Sequence, residues 1–411
     1  MISLADKRHY HYAPEYFSFA RVILGLYLFE HFLALTKHAP EIFSYAGLLP
    51  NPSLNPTYPL FFNILYLFDS PVFVTSFVWI LAGLSLALLV GYKRRFVSFL
   101  LWYGFACLFN RNNLIGNPSI PFVGLLLLAL CVIPSGESYS LDARQNPPDY
   151  EWEFPQLLFS GLFFIMALSY TVSGLHKLTS PSWRDGQALY FLFSNPLARN
   201  YFLPEMMQKA PMFLLKGLSY SSIFLEILFL PLCLVPKWRL PTVSLMIAMH
   251  LGIATLVNFF DLTAGMLVFH LFMIDPRWLT RTNPVRGTVF FDGVCNLCNS
   301  FVSFLIRQDH KRCLRFASLQ SSAKEMLPPE YQDLKTVVFV HGTRISSKTK
   351  AIAHILENIG GHYRLLSLAL QILPTSLTNV GYDFVATNRY RWFGKKETCR
   401  LPTSEERAQF I

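Results

Sequence analysis

Five apolar runs, Phe17–Thr36, Pro71–Tyr92, Phe154–Leu178, Pro211–Pro236 and Leu240–Asn258, reach the length at which an α-helix crosses a bilayer, about 20 residues and roughly 17–25. Within lipid the backbone must satisfy its own hydrogen bonds, which restricts such runs to helices. Phe96–Phe109, Ile120–Pro134 and Leu262–Ile274 are shorter but strongly apolar, to be completed by flanking residues or packed inside the bundle. Tyr58–Phe68 is too short to span and reads as interfacial or re-entrant. The fold expected of residues 1–278 is therefore a polytopic α-helical membrane domain, with about eight transmembrane helices. A chain that is 53% hydrophobic and 15% charged is too apolar for an ordinary soluble protein. The first residues, "MISLADKRHYHYAPEY", lack an apolar h-region, so the first helix is expected to stay as an anchor rather than be removed.

Short-loop Lys and Arg give an orientation. Lys7 and Arg8, "YKRRF" at Tyr92–Phe96, Lys237 with Arg239, and Arg277 with Arg281 and Arg286 all fall on one side if eight helices span. Both termini are then cytoplasmic, although the basic stretch Lys177–Lys216 lies on the other side. Ionisable groups inside such segments are costly and mark functional sites by default. Arg21 and Glu30 are out of phase on the first helix, so their partners must come from elsewhere. His31, Glu226, His250 and Asp261 are further such groups; His250 and Asp261 share a stripe if their helix is continuous, and the polar Asn258 lies nearby. Each can be a satisfied interior polar group; together they point to a polar interior cavity.

"SYTVSGLHKLTSPSW", Ser169–Trp183, runs an apolar helix into Gly174, His176 and Lys177, then a Ser-Pro turn and Trp183. One reading has Lys177 snorkelling at a helix end and Trp183 anchoring at the interface. The other has a desolvated amine, whose lowered pKa makes it a general base. Together with "ARVILGLYLFEHF", "RNNLIGNPS", "VIPSGESYSLD" and "HLGIATLVNFF", this stretch resembles the HTTM domain of vitamin K-dependent gamma-carboxylases and their bacterial relatives, over about residues 14–278. The resemblance implies that Lys177 deprotonates a quinol. Oxygen then turns the quinol into the strong base that prepares a glutamate for carbon dioxide. It also implies an apolar pocket for a membrane quinone or vitamin K-type hydroquinone, with His250, His176, Glu226 and Trp183 as its polar and aromatic surroundings. The large extramembrane region with which carboxylases grip a propeptide has no counterpart between the last helix and the cysteines.

Past residue 278 the character changes. Residues 277–411 hold 19 Lys+Arg against 10 Asp+Glu, a net +9, whereas residues 1–276 hold 16 against 15. Those charges are scattered and no nucleic-acid motif accompanies them; a module beside anionic lipid accounts for them. After a linker over 279–286, residues 287–411 read as an α/β thioredoxin-like domain. "TVFFDG", "CLRFASLQ" and "TVVFVHG" are strand candidates; "SSKTKAIAHILENIGG" reads as a helix with a Ser cap and a Gly-Gly stop, and "LTNVGYDFVATNRYRWFG" as a last helix. "YRLLSLALQILP" is apolar enough for a buried helix and too short to span.

Of seven cysteines, Cys107, Cys131 and Cys233 lie in apolar runs and Cys313 opens a strand, all expected to be inert. Cys295 and Cys298 form a CxxC at a helix start. The helix N-terminus stabilises the Cys295 thiolate, Cys298 lies one turn on to resolve a mixed disulfide, and Asp292 is placed to exchange a proton. Half a zinc site or two structural thiols are the rivals, and Cys313 and Cys399 do not supply a second metal pair. "FDGVCNLCNSFVSFLIRQD", "LRFASLQS" and "YDFVATNRYRWFGKKETCRLPTSEERAQF" resemble the DCC family of thiol-disulfide oxidoreductases, with Asp292, Cys295 and Cys298 as its Asp-Cys-Cys and Tyr390, Arg391, Trp392 and Cys399 in its C-terminal signature. Cys399 is either a third, shuttling thiol or a packing one.

The function expected is an integral membrane redox protein, multi-pass, with a cytoplasmic C-terminal domain. A redox-active Cys295–Cys298 disulfide exchanges with a dithiol protein or small thiol and supplies electrons to quinone chemistry near Lys177. A carboxylase-like modification enzyme and a non-enzymatic membrane anchor carrying a redox module are the alternatives.

Overall fold

The structure is a computed structural model that describes residues 12–146, 152–279, 286–309, 311–332, 336–396, 402–403 and 406–411. It forms two compact units, one of residues 11–274 and one that takes in residues 275–411.

The first unit is helical. Its elements are α1 (Pro14–Thr36), α2 (Ala39–Phe43), α3 (Pro71–Val90), α4 (Arg94–Arg111), α5 (Ser119–Val132), α6 (Gln156–Lys177), α7 (Pro181–Arg184), α8 (Ala188–Phe193), α9 (Phe202–Gln208), α10 (Met212–Ile227), α11 (Phe229–Leu234), α12 (Pro236–Leu256) and α13 (Phe260–Met273). Among the described residues α1, α3, α6 and α12 are long and apolar enough to cross a membrane, and α5 and α13 are shorter apolar helices. Tyr58–Phe68 forms two short 3-10 turns rather than a helix.

Two expected runs are interrupted. Pro211–Pro236 breaks at Leu228 between α10 and α11. Pro231 is the cause: it has no N–H, and its ring crowds the carbonyl four residues back, at Ile227. The run carrying His250 and Asp261 also breaks, because Val257 is extended. Arg199 Nε bonds the carbonyls of Ala254 and Val257 at 3.0 and 3.2 Å, a cation on the exposed carbonyls of a helix C-terminus. His250 and Asp261 therefore do not share a stripe.

Arg21 finds its partner outside α1, as its phase requires. Glu137, in the turn after α5, takes Arg21 Nε at 2.8 Å and Arg94 Nε at 3.1 Å, and all three side chains are fully buried. The remaining guanidinium donors close off carbonyls: Arg21 reaches Leu88 at 2.8 Å and Arg94 reaches Leu130 at 2.6 Å. Arg94, counted from the sequence as a loop charge, is thus an interior one.

The second unit has a four-stranded sheet of β1 (Gly287–Phe291), β2 (Leu314–Ser318), β3 (Val338–His341) and β4 (Arg344–Ser347), in the order β2-β1-β3-β4. β1 runs parallel to β2 through the crossover helix α14 (Asn296–Gln308), and antiparallel to β3. β3 and β4 are a hairpin closed at Gly342, where φ is +57° and a side chain would be strained. β4 had no signal in the sequence, its residues "RISS" being too polar to read as a strand. Alternation along β1 sends Val289 and Phe291 to a core with Val302, Leu305 and Ile355, and Phe290 to a second core with Leu319 and Leu327.

Helices α15 (Lys348–Ile359), α16 (Tyr363–Ile372) and α17 (Thr375–Phe393) follow. The expected buried helix at Tyr363–Pro374 is not buried: Leu366, Leu368 and Ile372 are exposed, as are Leu377, Val380 and Phe384 on α17. Amphipathic spacing places only one stripe of α16 on the unit, and among the described residues the other stripe stays exposed.

Candidate functional site

Cys295 is the N-cap of α14, and its Sγ accepts the backbone N–H of Cys298 at 3.4 Å. That is the position at which unpaired N–H groups favour a thiolate. Yet Cys295 is 0% exposed. The segment after α17 crosses it: Cys295 bridges Lys395, Lys396 N donates to Val294 O at 2.8 Å, and Asn296 Nδ2 donates to Phe393 O at 2.9 Å. Cys298 borders a cavity of about 450 Å³ instead. Its pKa is raised from the ordinary thiol value, first by burial and then by its hydrogen bond to Cys295. The helix-cap position and the cavity wall thus fall to different sulfurs. Cys399 lies outside the described residues.

Asp292 directly follows β1 and is almost fully buried. One of its oxygens accepts Gln320 Nε2 at 2.7 Å and Val294 N at 3.3 Å; the other accepts Arg389 Nη2 at 3.1 Å and the Tyr390 hydroxyl. With both oxygens engaged it acts as an anchor, tying the CxxC loop to the residues after β2 and to α17. Burial opposes the Arg389 charge, but the bonds to Asp292 and Tyr390 outweigh it and raise the guanidinium pKa. Sequence reasoning missed Arg389 and Gln320, which are distant in the chain and carry no local motif. Asp292→Asn is expected to cost about 3–5 kcal/mol, since it leaves Arg389 without its counter-charge. Denaturant unfolding of the full chain checks this, and a loss below 1 kcal/mol would refute the anchor role.

Cys313 Sγ donates to Asp309 Oδ1 at 3.1 Å, and burial pushes its pKa up to about 12, the behaviour of an inert core thiol. Among the described residues no group of three or more His, Cys, Asp or Glu gathers as metal ligands do.

In the helical unit Lys177 pairs with Glu226, and both touch Ser173, at 3.2 Å each. Gly174 permits this, since a Cβ there would lie 2.8 Å from Ile227 N on α10. The Trp183 ring lies 5.2 Å from Lys177 Nζ. His176 is exposed and joins none of these contacts. His250 belongs to a different trio. The Tyr170 hydroxyl contacts Nε2 of both His250 and His270 at 2.8 Å. A hydroxyl donates one hydrogen, so with neutral rings one Nε2 accepts and the other donates, and the two histidines are opposite tautomers. A third cluster joins Asp261 to Tyr27, His31 and Asn117 at 2.9, 2.7 and 2.7 Å, beside a cavity of about 440 Å³.

These features coincide with a family match. Residues 13–278 match the HTTM domain profile. The chain belongs to the HTTM domain family. Residues 289–395 match the DCC1-like thiol-disulfide oxidoreductase profile, which covers the CxxC, Asp292 and Arg389. The uncharacterized protein YuxK of Bacillus subtilis (strain 168) is 36% identical over 139 residues, 32% of this chain and 99% of the relative. The DCC family protein At1g52590, chloroplastic, of Arabidopsis thaliana is 37% identical over 122 residues, 28% of this chain and 70% of the relative. No solved structure matches the chain. The HTTM unit and the DCC1-like unit are thus joined in one polypeptide.

Proposed function

We propose that this HTTM–DCC1-like chain is a multi-pass membrane thiol-disulfide oxidoreductase whose Cys295–Cys298 pair cycles between dithiol and disulfide. The observation that carries the reading is the capped Cys295 with Cys298 at a cavity wall. A thiolate of a partner dithiol attacks the Cys295–Cys298 disulfide, one protein sulfur leaves, and the partner's second thiol closes the partner's own disulfide and releases the other protein sulfur, so that two electrons and two protons pass to the cysteine pair. The β2-β1-β3-β4 order with the CxxC directly after β1 supports a thioredoxin-like layer. α4 and the α10–α11 pair, added to the four long and two short apolar helices, support eight spans. The basic excess of residues 277–411 supports a cytoplasmic DCC1-like unit.

The HTTM unit is the place where the electrons are used. Once Lys177 has passed its proton to the paired Glu226 carboxylate, the neutral amine takes a proton from a quinol. In lipid nanodiscs supplied with a dithiol and a naphthoquinone, thiol-driven oxygen uptake is expected to fall at least about a hundredfold in Cys295→Ser and also in Lys177→Ala. Unchanged uptake in Lys177→Ala would remove the helical unit from the reaction. Carbon dioxide incorporation into a glutamate-containing peptide, lost in the same lysine variant, would instead favour the carboxylase-like reading that the Lys177–Glu226 pair also suits.

A further inference from the structure

We propose that the cavity beside Cys298 is a substrate site of the DCC1-like unit itself, and that it takes a small, flat, apolar two-electron acceptor of the quinone class drawn from lipid. This rests on the redox reading of the CxxC and adds a place and a substrate class to it.

Three observations carry it. The cavity, about 450 Å³, is of a size for one or two fused rings and part of a tail, and its walls are chiefly Leu297, Phe301, Ile352, Leu370 and Val385. A peptide disulfide has little to bind there. Val337 on the wall has already spent its N–H on the Tyr382 hydroxyl, at 2.9 Å, and its carbonyl accepts Lys348 N at 3.2 Å, so an extended chain cannot pair with it. The charged wall residues Arg389 and Asp292 are bonded to each other, which leaves poor recognition for an ionic thiol such as a tripeptide. Finally, the two helices that contribute Leu370 and Val385 to the wall carry the exposed Leu366, Ile372, Leu377, Val380 and Phe384 on their outer surface. That apolar outer surface is fitted to a lipid interface, in a chain whose described residues include four long apolar helices.

The balance is simple. Cys295 and Cys298 each lose an S–H bond and gain one S–S bond; the two electrons and two protons convert the two quinone carbonyls into hydroxyls. A lipid-soluble hydroquinone then links the two units by diffusion, without a direct contact between sulfur and Lys177.

Gly381 provides the test. It lines the cavity on α17, and a Cβ built there meets no atom within 4 Å, so a side chain can start from this position and Gly381→Leu extends it into the space. Full chain in nanodiscs, reduced and freed of reductant, is mixed anaerobically with a short-tail 1,4-naphthoquinone, and disulfide formation is timed. Wild type is expected to show saturation with quinone. Gly381→Leu is expected to slow the reaction at least about tenfold, and Gly381→Ala less. Titration against a dithiothreitol buffer reports the thiol couple independently of access and is expected to be the same in all three. Equal rates, or rates linear in quinone at every concentration, would overturn the cavity assignment. Absence of a reversible couple in wild type would overturn the redox reading itself.

Discussion

Glu137→Ala is expected to destabilise the helical unit by at least about 3–5 kcal/mol, the cost of stripping the partner from a buried charge. The effect should exceed that of removing either arginine, because Glu137 alone faces two guanidinium groups, Arg21 and Arg94, at 0% exposure. Arg21 and Arg94 also hold α1 and α4 to the carbonyl ends of α3 and α5, so loss of the carboxylate loosens four helices at once. Thermal unfolding in detergent, followed by helical circular dichroism, checks the size of the loss. A triple change, Glu137→Leu with Arg21→Met and Arg94→Met, should recover much of it, since an apolar cluster needs no counter-charge. A melting temperature unchanged in the single variant would show that water, not Glu137, neutralises the arginines.

The second large effect concerns the sulfurs. With Cys298 at the cavity and Cys295 beneath the 393–396 segment, the adduct with substrate should form on Cys298. Cys295→Ser is then expected to accumulate that adduct, whereas Cys298→Ser forms none, and both lose steady-state turnover. Intact-mass measurement after mixing with an activated small disulfide distinguishes the two. Trapping in Cys298→Ser alone would reverse the order and make Cys295 the sulfur that meets substrate. Trapping in Cys295→Ser should also quicken with pH and show no plateau by pH 9. Burial raises the pKa of Cys298 above the ordinary thiol value, so its reactive thiolate fraction is still growing there.

The apolar runs, the CxxC at a helix start and the strand–helix pattern after residue 286 were legible because each is a local property. Periodicity, caps and prolines act within a few residues. Even the break at Leu228 has a local cause, Pro231. The anchors were not legible. Asp292 meets Arg389 across 97 residues, and His31 meets Asp261 across 230, with nothing in either neighbourhood to name the other. His250 was rightly marked as a polar group within an apolar helix, but its hydrogen bonds go to Tyr170 and, through it, to His270 rather than to Lys177.

By itself the sequence determined which segments are long and apolar, where the thiols stand on their helix, and that charged groups lie within apolar segments. Only the tertiary structure decided which charges neutralise one another, which sulfur is covered and which borders a cavity, and that α16 carries an outer apolar stripe. Burial and pairing depend on what packs from elsewhere in the chain. The local pattern fixes that a group needs a partner, and packing selects the one.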